Sequence, residues 1–133
     1  MILTIHTKGN TDIIDITKEI SGVVEKGKVK NGVANVFIKG STAAITTIEA
    51  DKNLYEDLKG VLEEIIPMKS NWKHHTTWGD DNGGAHLRAT LIGPSISIPI
   101  MEGRLSLGTW QKIILIDFDT SARNREVVVS CLT

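Results

Sequence analysis

Only one segment of this chain carries a long helical stripe; most of its other apolar residues fall in short β-branched runs. Leu54, Leu58, Val61, Leu62 and Ile65 recur at helical spacing, which places them on one face. Asp51 is a good N-cap for this helix. Pro67 stops it, because its ring supplies no N–H and clashes with the preceding turn. Around it, Ile2 to Thr7, Asp12 to Ile16, Val33 to Lys39 and Ala43 to Glu49 read as strands. So do Leu87 to Ile92, Ser95 to Ile100, Trp110 to Phe118 and Val127 to Leu132, with breaks at Gly40-Ser41, Gly93-Pro94 and Glu102-Gly103. Thr17 is placed to cap a short helix with Ile20, Val23 and Val24 on one face, ending before Gly27. Many strands with two helices predict an α+β domain built on an antiparallel sheet.

A chain of 133 residues is long enough for one hydrophobic core and too short for two, so residues 1–133 are expected to form a single domain. The net charge of -1 gives no basic balance for nucleic acid or an anionic membrane surface. No apolar run approaches the ~18 residues that a membrane-spanning helix needs. Cys131 is the single cysteine and has no partner for an intramolecular disulfide. With no basic, apolar leader at Met1 to His6, a reduced cytoplasmic setting is the expectation.

Chemistry concentrates between Trp72 and Arg88, which hold three of the four histidines, two of the three tryptophans and three glycines. Polar and aromatic residues crowded among glycines are the pattern of a site held on a loop by a rigid scaffold. His74 and His86 are the best candidates for metal ligands or acid–base groups, with His75 next; imidazoles on loops also serve as plain hydrogen-bonding residues. Asp80-Asp81-Asn82 offers oxygen ligands for a cation, or simply a turn. Glu49 ends an apolar strand and suits a base or ligand as well as a cap for the following helix. Gly40-Ser41-Thr42 presents hydroxyls and amides suited to a phosphate but lacks the lysine and spacing of a P-loop; a strand bend explains it equally. Arg104, Arg123 and Arg125 are three of four arginines in a lysine-biased chain, fit for bidentate anion recognition or for the surface.

The chain resembles the YjbQ-like family, also called the secondary thiamine-phosphate synthase family. The resemblance runs in order through Gly40-Ser-Thr-Ala-Ala-Ile, Thr47-Ile-Glu49, Trp72-Lys-His74 and Asn82 to His86-Leu-Arg-Ala. It continues through Leu91-Ile-Gly-Pro-Ser, Gly103-Arg-Leu and Leu107-Gly-Thr-Trp-Gln111. It implies a strongly curved, half-barrel antiparallel sheet, a homotrimer, and a polar pocket near subunit boundaries. It further implies a catalytic set of Glu49, His74 and His86, with Ser41, Thr42, Asn82, Arg104, Trp110 and Gln111 around a small phosphorylated metabolite. A divalent metal, zinc or magnesium, would fall to His74, His86 and Asp81. Many relatives have a histidine where this chain has Gly40, so a three-histidine site would need His75 or an aspartate instead. The family's second name implies joining of a pyrimidine diphosphate to a thiazole phosphate. The alternatives are a non-catalytic trimer that binds a metal or metabolite, and tryptophans that only pack the loop and an interface.

Overall fold

The computed structural model describes residues 1–133. The strands are β1 (Ile2–Thr7), β2 (Asp12–Asp15), β3 (Gly32–Ile38), β4 (Ala43–Glu49), β5 (Ser95–Met101), β6 (Arg104–Leu105), β7 (Gln111–Asp117) and β8 (Arg123–Leu132). The helices are α1 (Thr17–Gly27), α2 (Lys52–Ile65), α3 (His75–Trp78) and α4 (Gly83–Ile92). All strand pairs are antiparallel, in a five-stranded sheet of order β1-β8-β3-β5-β6 and a three-stranded sheet of order β2-β7-β4. The fold is α+β, with the curled antiparallel arrangement of a half-barrel.

Strand β7 is the middle of the molecule, and its composition says why. Ile113, Ile114, Leu115, Ile116, Asp117 and Phe118 are all fully buried. Side chains alternate across a strand, so an unbroken apolar run means cover on both faces. Ile113 and Leu115 pack with Val36, Ile38, Ile98, Val127 and Val129 of the five-stranded sheet. Ile114, Ile116 and Phe118 pack with Leu62 of α2 and with Ala85 and Ala89 of α4. The three-stranded sheet is thus a middle layer between the larger sheet and the helices.

Helix α2 begins as the sequence predicts: Asp51 accepts from the N–H groups of Asn53 and Leu54 at 3.2 and 3.3 Å. Only Leu62 of its apolar stripe is fully buried, while Val61 and Ile65 are 52% and 57% exposed. At α1 the expectation shifts by one residue. Thr17 is the first helical residue instead of the cap. Its hydroxyl donates to Asp15 at 2.6 Å and accepts the Ile113 N–H at 2.9 Å, pinning the helix to β7.

The larger correction is at Leu87 to Ile92, which forms the second half of α4 and not a strand. A short apolar run cannot be assigned by periodicity alone. Its deciding partners lie upstream: Ala85, Arg88, Ala89 and Ile92 share the face laid on the middle layer. Small residues permit that approach, and a Cβ on Gly84 would lie 3.0 Å from the Met68 backbone. The domain therefore has four helices, two of which, α3 and α4, begin inside the segment read as a loop.

Replacing Ile116, with contacts on the helical side of β7, by alanine should lower unfolding free energy by about 2–5 kcal/mol. The same truncation at half-exposed Val61 should change it by under about 0.5 kcal/mol. Urea titration with unchanged slope checks both; equal losses would contradict the layer assignment.

Candidate functional site

At the C-terminal end of β7 the apolar run is interrupted by carboxylates. Asp117 is fully buried and lies on the strand face that meets the larger sheet. Arg125 of β8 reaches it with two parallel bonds, Nε to Oδ2 at 2.7 Å and Nη2 to Oδ1 at 2.8 Å. The Thr7 hydroxyl adds a third at 2.6 Å. Arg125 Nη2 also donates to the Thr42 hydroxyl at 2.6 Å, and that hydroxyl donates to Asp119 at 2.9 Å. Asp119 accepts further bonds from Arg123 Nη2 at 2.9 Å and from the Thr120 N–H at 2.8 Å. Burial alone would raise both acids. For Asp117 the bonds from Arg125, Thr7 and the Asp119 N–H outweigh it, and its carboxyl lies below the ordinary range. Asp119 is lowered by Thr120, Thr42, Arg123 and Asn82 in the same way.

This network floors a cleft of about 370 Å³, lined among others by Gly40, Thr42, His74, His86, Arg123 and Arg125. His74 precedes α3 and His86 lies on α4, with ring centroids 4.6 Å apart and planes at 70°. His6 and His75 are the histidines whose rings hydrogen-bond within the chain, so the ring nitrogens of His74 and His86 are free for a ligand. Arg125 bonds through Nε and Nη2, leaving Nη1 beside Gly40. Trp78, 78% exposed, stands at the rim. Asn82 is buried, and its Oδ1 has no hydrogen-bond partner.

The cleft unites His74, His86, Ser41, Thr42 and Asn82, all expected from sequence, with Arg123 and Arg125. The other expected residues lie elsewhere. Asp81 has φ +53 and turns to a separate groove of about 990 Å³, where its carboxylate is 3.7 Å from His75 Nδ1. His75 Nε2 accepts the Gly83 N–H at 3.1 Å, so this imidazole secures the start of α4. Glu49 and Gln111 are cross-strand neighbours at the far end of β7, about 20 Å from Asp117 at ~3.3 Å per residue. Gln111 holds that turn, accepting the Gly108 N–H at 3.0 Å and donating to Thr47 at 3.1 Å, and Trp110 is 71% exposed. Arg104 belongs to a third surface, with Glu25 and Glu102.

No three His, Cys, Asp or Glu side chains stand close enough to share a metal ion. His74 and His86 with a distant Asp81 do not make the donor set that the resemblance implies. Position 40 is also crowded for any side chain in this protein. Gly40 has φ +116, and a Cβ there would lie 2.7 Å from Arg125 Nη1. A guanidinium occupies the approach that a third imidazole would need. Asp117 and Asp119, the residues on which the cleft rests, were missed among the candidates. Their signal was two acids flanking Phe118 at the end of an isoleucine-rich strand, where a buried charge must have a partner.

A small α+β domain with an arginine-floored, two-histidine cleft at the end of its middle sheet is the class defined so far. The chain belongs to the YjbQ family: the model described as UPF0047 protein YjbQ-like matches residues 1–133. A UPF0047 protein of Methanothermobacter thermautotrophicus is 38% identical over 128 residues, 96% of this chain and 87% of that one. One of Archaeoglobus fulgidus is 37% identical over 132 residues, 99% of this chain and all of the other (100%). Among solved structures, a YbjQ-like protein of unknown function from Sulfolobus solfataricus has a TM-score of 0.90 at 35% identity, covering 99% of this chain and 96% of that one. A yjbq/upf0047-family protein of Clostridium acetobutylicum has a TM-score of 0.91 at 34% identity, with 99% of each chain covered.

Removing one partner of the buried pair strands the other charge. Arg125→Met should lose about 3–5 kcal/mol of stability, and adding Asp117→Leu should restore most of it. Equal destabilisation of single and double variants by denaturant titration would contradict the pairing. Because both carboxyls titrate lower in the folded state, their contribution is complete above the unfolded value of about 4. It is lost as pH falls through the lower folded values. Melting temperature should therefore drop below about pH 4, less steeply in Asp119→Asn.

Proposed function

We propose that the cleft binds the phosphate-bearing end of a small metabolite and that His74 and His86 move protons there. The observation that carries this reading is Arg125: buried, oriented by Asp117 and Thr42, with Nη1 left beside Gly40 at the cleft floor. A guanidinium already held in place loses little freedom when it meets an anion, and planar donors suit phosphate oxygens. Arg123, half exposed at the rim, supplies a second cation. Imidazole nitrogens unclaimed by the protein are free to give or take a proton.

The finer reading is formation of thiamine phosphate. The thiazole nitrogen attacks the pyrimidine methylene carbon as that carbon's bond to oxygen breaks, and pyrophosphate departs with the bonding electrons. Such a step asks the protein for orientation and for stabilisation of the departing charge, which Arg123 and Arg125 supply, with a histidine proton for the departing oxygen. Ser41 adds a hydroxyl at the mouth.

A homotrimer, implied by the family resemblance, would give Glu49, Trp110 and Gln111 a place in this chemistry by facing them to another copy's cleft. The exposed Trp110 supports that reading. The second reading, binding without turnover, is favoured by the same separation, since one chain by itself leaves the expected acid far from the histidines. Nucleic acid is a poor partner for a chain of net charge -1, and no helix is long and apolar enough to cross a membrane.

Calorimetric titration with pyrophosphate tests binding. Arg123→Gln should weaken it about 10-fold, the loss of one charge-assisted contact, with melting little changed. His86→Ala should retain pyrophosphate binding within a few fold while abolishing turnover of a pyrimidine diphosphate with a thiazole phosphate. No binding by the wild type would sink the phosphate reading; binding with no turnover in any form would leave the non-catalytic one.

A further inference from the structure

Asn82 immediately precedes α4, a place where asparagine usually caps a helix by accepting from its first N–H groups. Here it makes no such bond. The first amide of the helix, that of Gly83, donates to His75 Nε2 at 3.1 Å. Asn82 lines the cleft, where the residue is 6% exposed. Asn82 is also one of the groups that hold the Asp119 carboxyl below the ordinary range. An ionised carboxylate only accepts, so the amide hydrogens of Asn82, and not its oxygen, suit Asp119. The Asn82 Oδ1 is the one buried side-chain polar atom of the chain with no partner.

An acceptor stranded in this way calls for an explanation, because native folds pair nearly all such atoms. Its surroundings supply one. Arg123 contacts the same Asp119 carboxylate at 2.9 Å, and Arg125 Nη2 lies 3.9 Å from it. The unpaired acceptor and the two guanidiniums are thus gathered around a single carboxyl group. Cations there take an anionic group; a neutral carbonyl oxygen repels anionic oxygen and takes a donor.

We propose that Asn82 Oδ1 is a specificity determinant that accepts a hydrogen bond from an amino or hydroxyl group close to the phosphate of the ligand. This rests on the phosphate-binding reading above and narrows it from phosphorylated metabolites in general to those carrying a neighbouring N–H or O–H donor. A phosphate ester without that donor leaves Oδ1 buried and unmatched.

Titration calorimetry with ethyl phosphate and with glycerol 3-phosphate, alike in the phosphate and different in hydroxyl donors, tests this without any variant. Wild-type protein should bind glycerol 3-phosphate about 10- to 100-fold more tightly, as expected for one buried hydrogen bond that is made or left unmade. Asn82→Leu, close in volume and without an acceptor, should bring the two to within about threefold; Asn82→Ala serves if the leucine variant does not fold. Equal binding of both esters by the wild type would overturn the role of Asn82 and leave the phosphate site standing. A preference that survives in the variants would likewise overturn it, by placing the acceptor on another residue. No binding of either ester, or of pyrophosphate, would overturn both readings.

Discussion

The pairing of Asp117 with Arg125 ties the end of β7 to β8, and the geometry of the cleft descends from it. Two parallel bonds fix the guanidinium plane, and the Thr7 hydroxyl fixes the carboxylate from the β1 side. Each charge would be expensive to bury alone. Together they also orient Thr42 and, through it, Asp119, so one buried pair organises strands from both sheets. Such a pair adds little net stability over an apolar replacement, since desolvation offsets much of the attraction. What it gives this fold is an arginine held at one angle beside Gly40.

The helical wall is positioned by different means. Arg88 of α4 donates to the Ile66 carbonyl at 2.9 Å, to the Thr11 hydroxyl at 3.2 Å and to Glu63 at 2.7 Å, joining α4 to the end of α2 and to the β1–β2 turn. That turn runs through three residues of positive φ, Gly9, Asn10 and Thr11, at +78°, +54° and +63°. For a β-branched residue such as Thr11 this backbone is strained, and it persists only where surrounding contacts hold it. The Asn10 N–H donates to the Asp119 carbonyl at 2.7 Å, and a Cβ on Gly9 would lie 2.5 Å from the Ser121 carbonyl oxygen. The loop that carries Asp119 is therefore braced from behind by a turn that Arg88 anchors. His86, on the same helix as Arg88, inherits its position from that brace.

Division of labour among the three neighbouring histidine positions follows from their partners. His75 is engaged by a backbone amide and faces Asp81, so it holds structure. His74 and His86 pack ring against ring and their rings make no hydrogen bond within the chain, so they remain available. Sequence order put His74 and His75 together; only the start of α3 separates their directions.

The sequence by itself determined the elements whose signals are local. The Asp51-capped helix, the strands from Ile2, Val33, Ala43 and Ser95, and the antiparallel α+β class depend on periodicity, capping and breaks. It also picked out His74, His86, Ser41, Thr42 and Asn82, because reactive residue types crowd there. Tertiary structure decided the rest. Leu87 to Ile92 is helical because Ala85, Arg88 and Ala89 must face the middle layer, a demand no short apolar run reveals. Asp81, Glu49, Trp110 and Gln111 lie away from the histidines because a turn and the length of β7 separate them. Asp117 and Asp119 became the foundation of the site only when β8 brought Arg125 and Arg123 over from the larger sheet. Residues 117 and 125 are eight apart in sequence, and the turn between them, which reverses the chain into the other sheet, makes them partners.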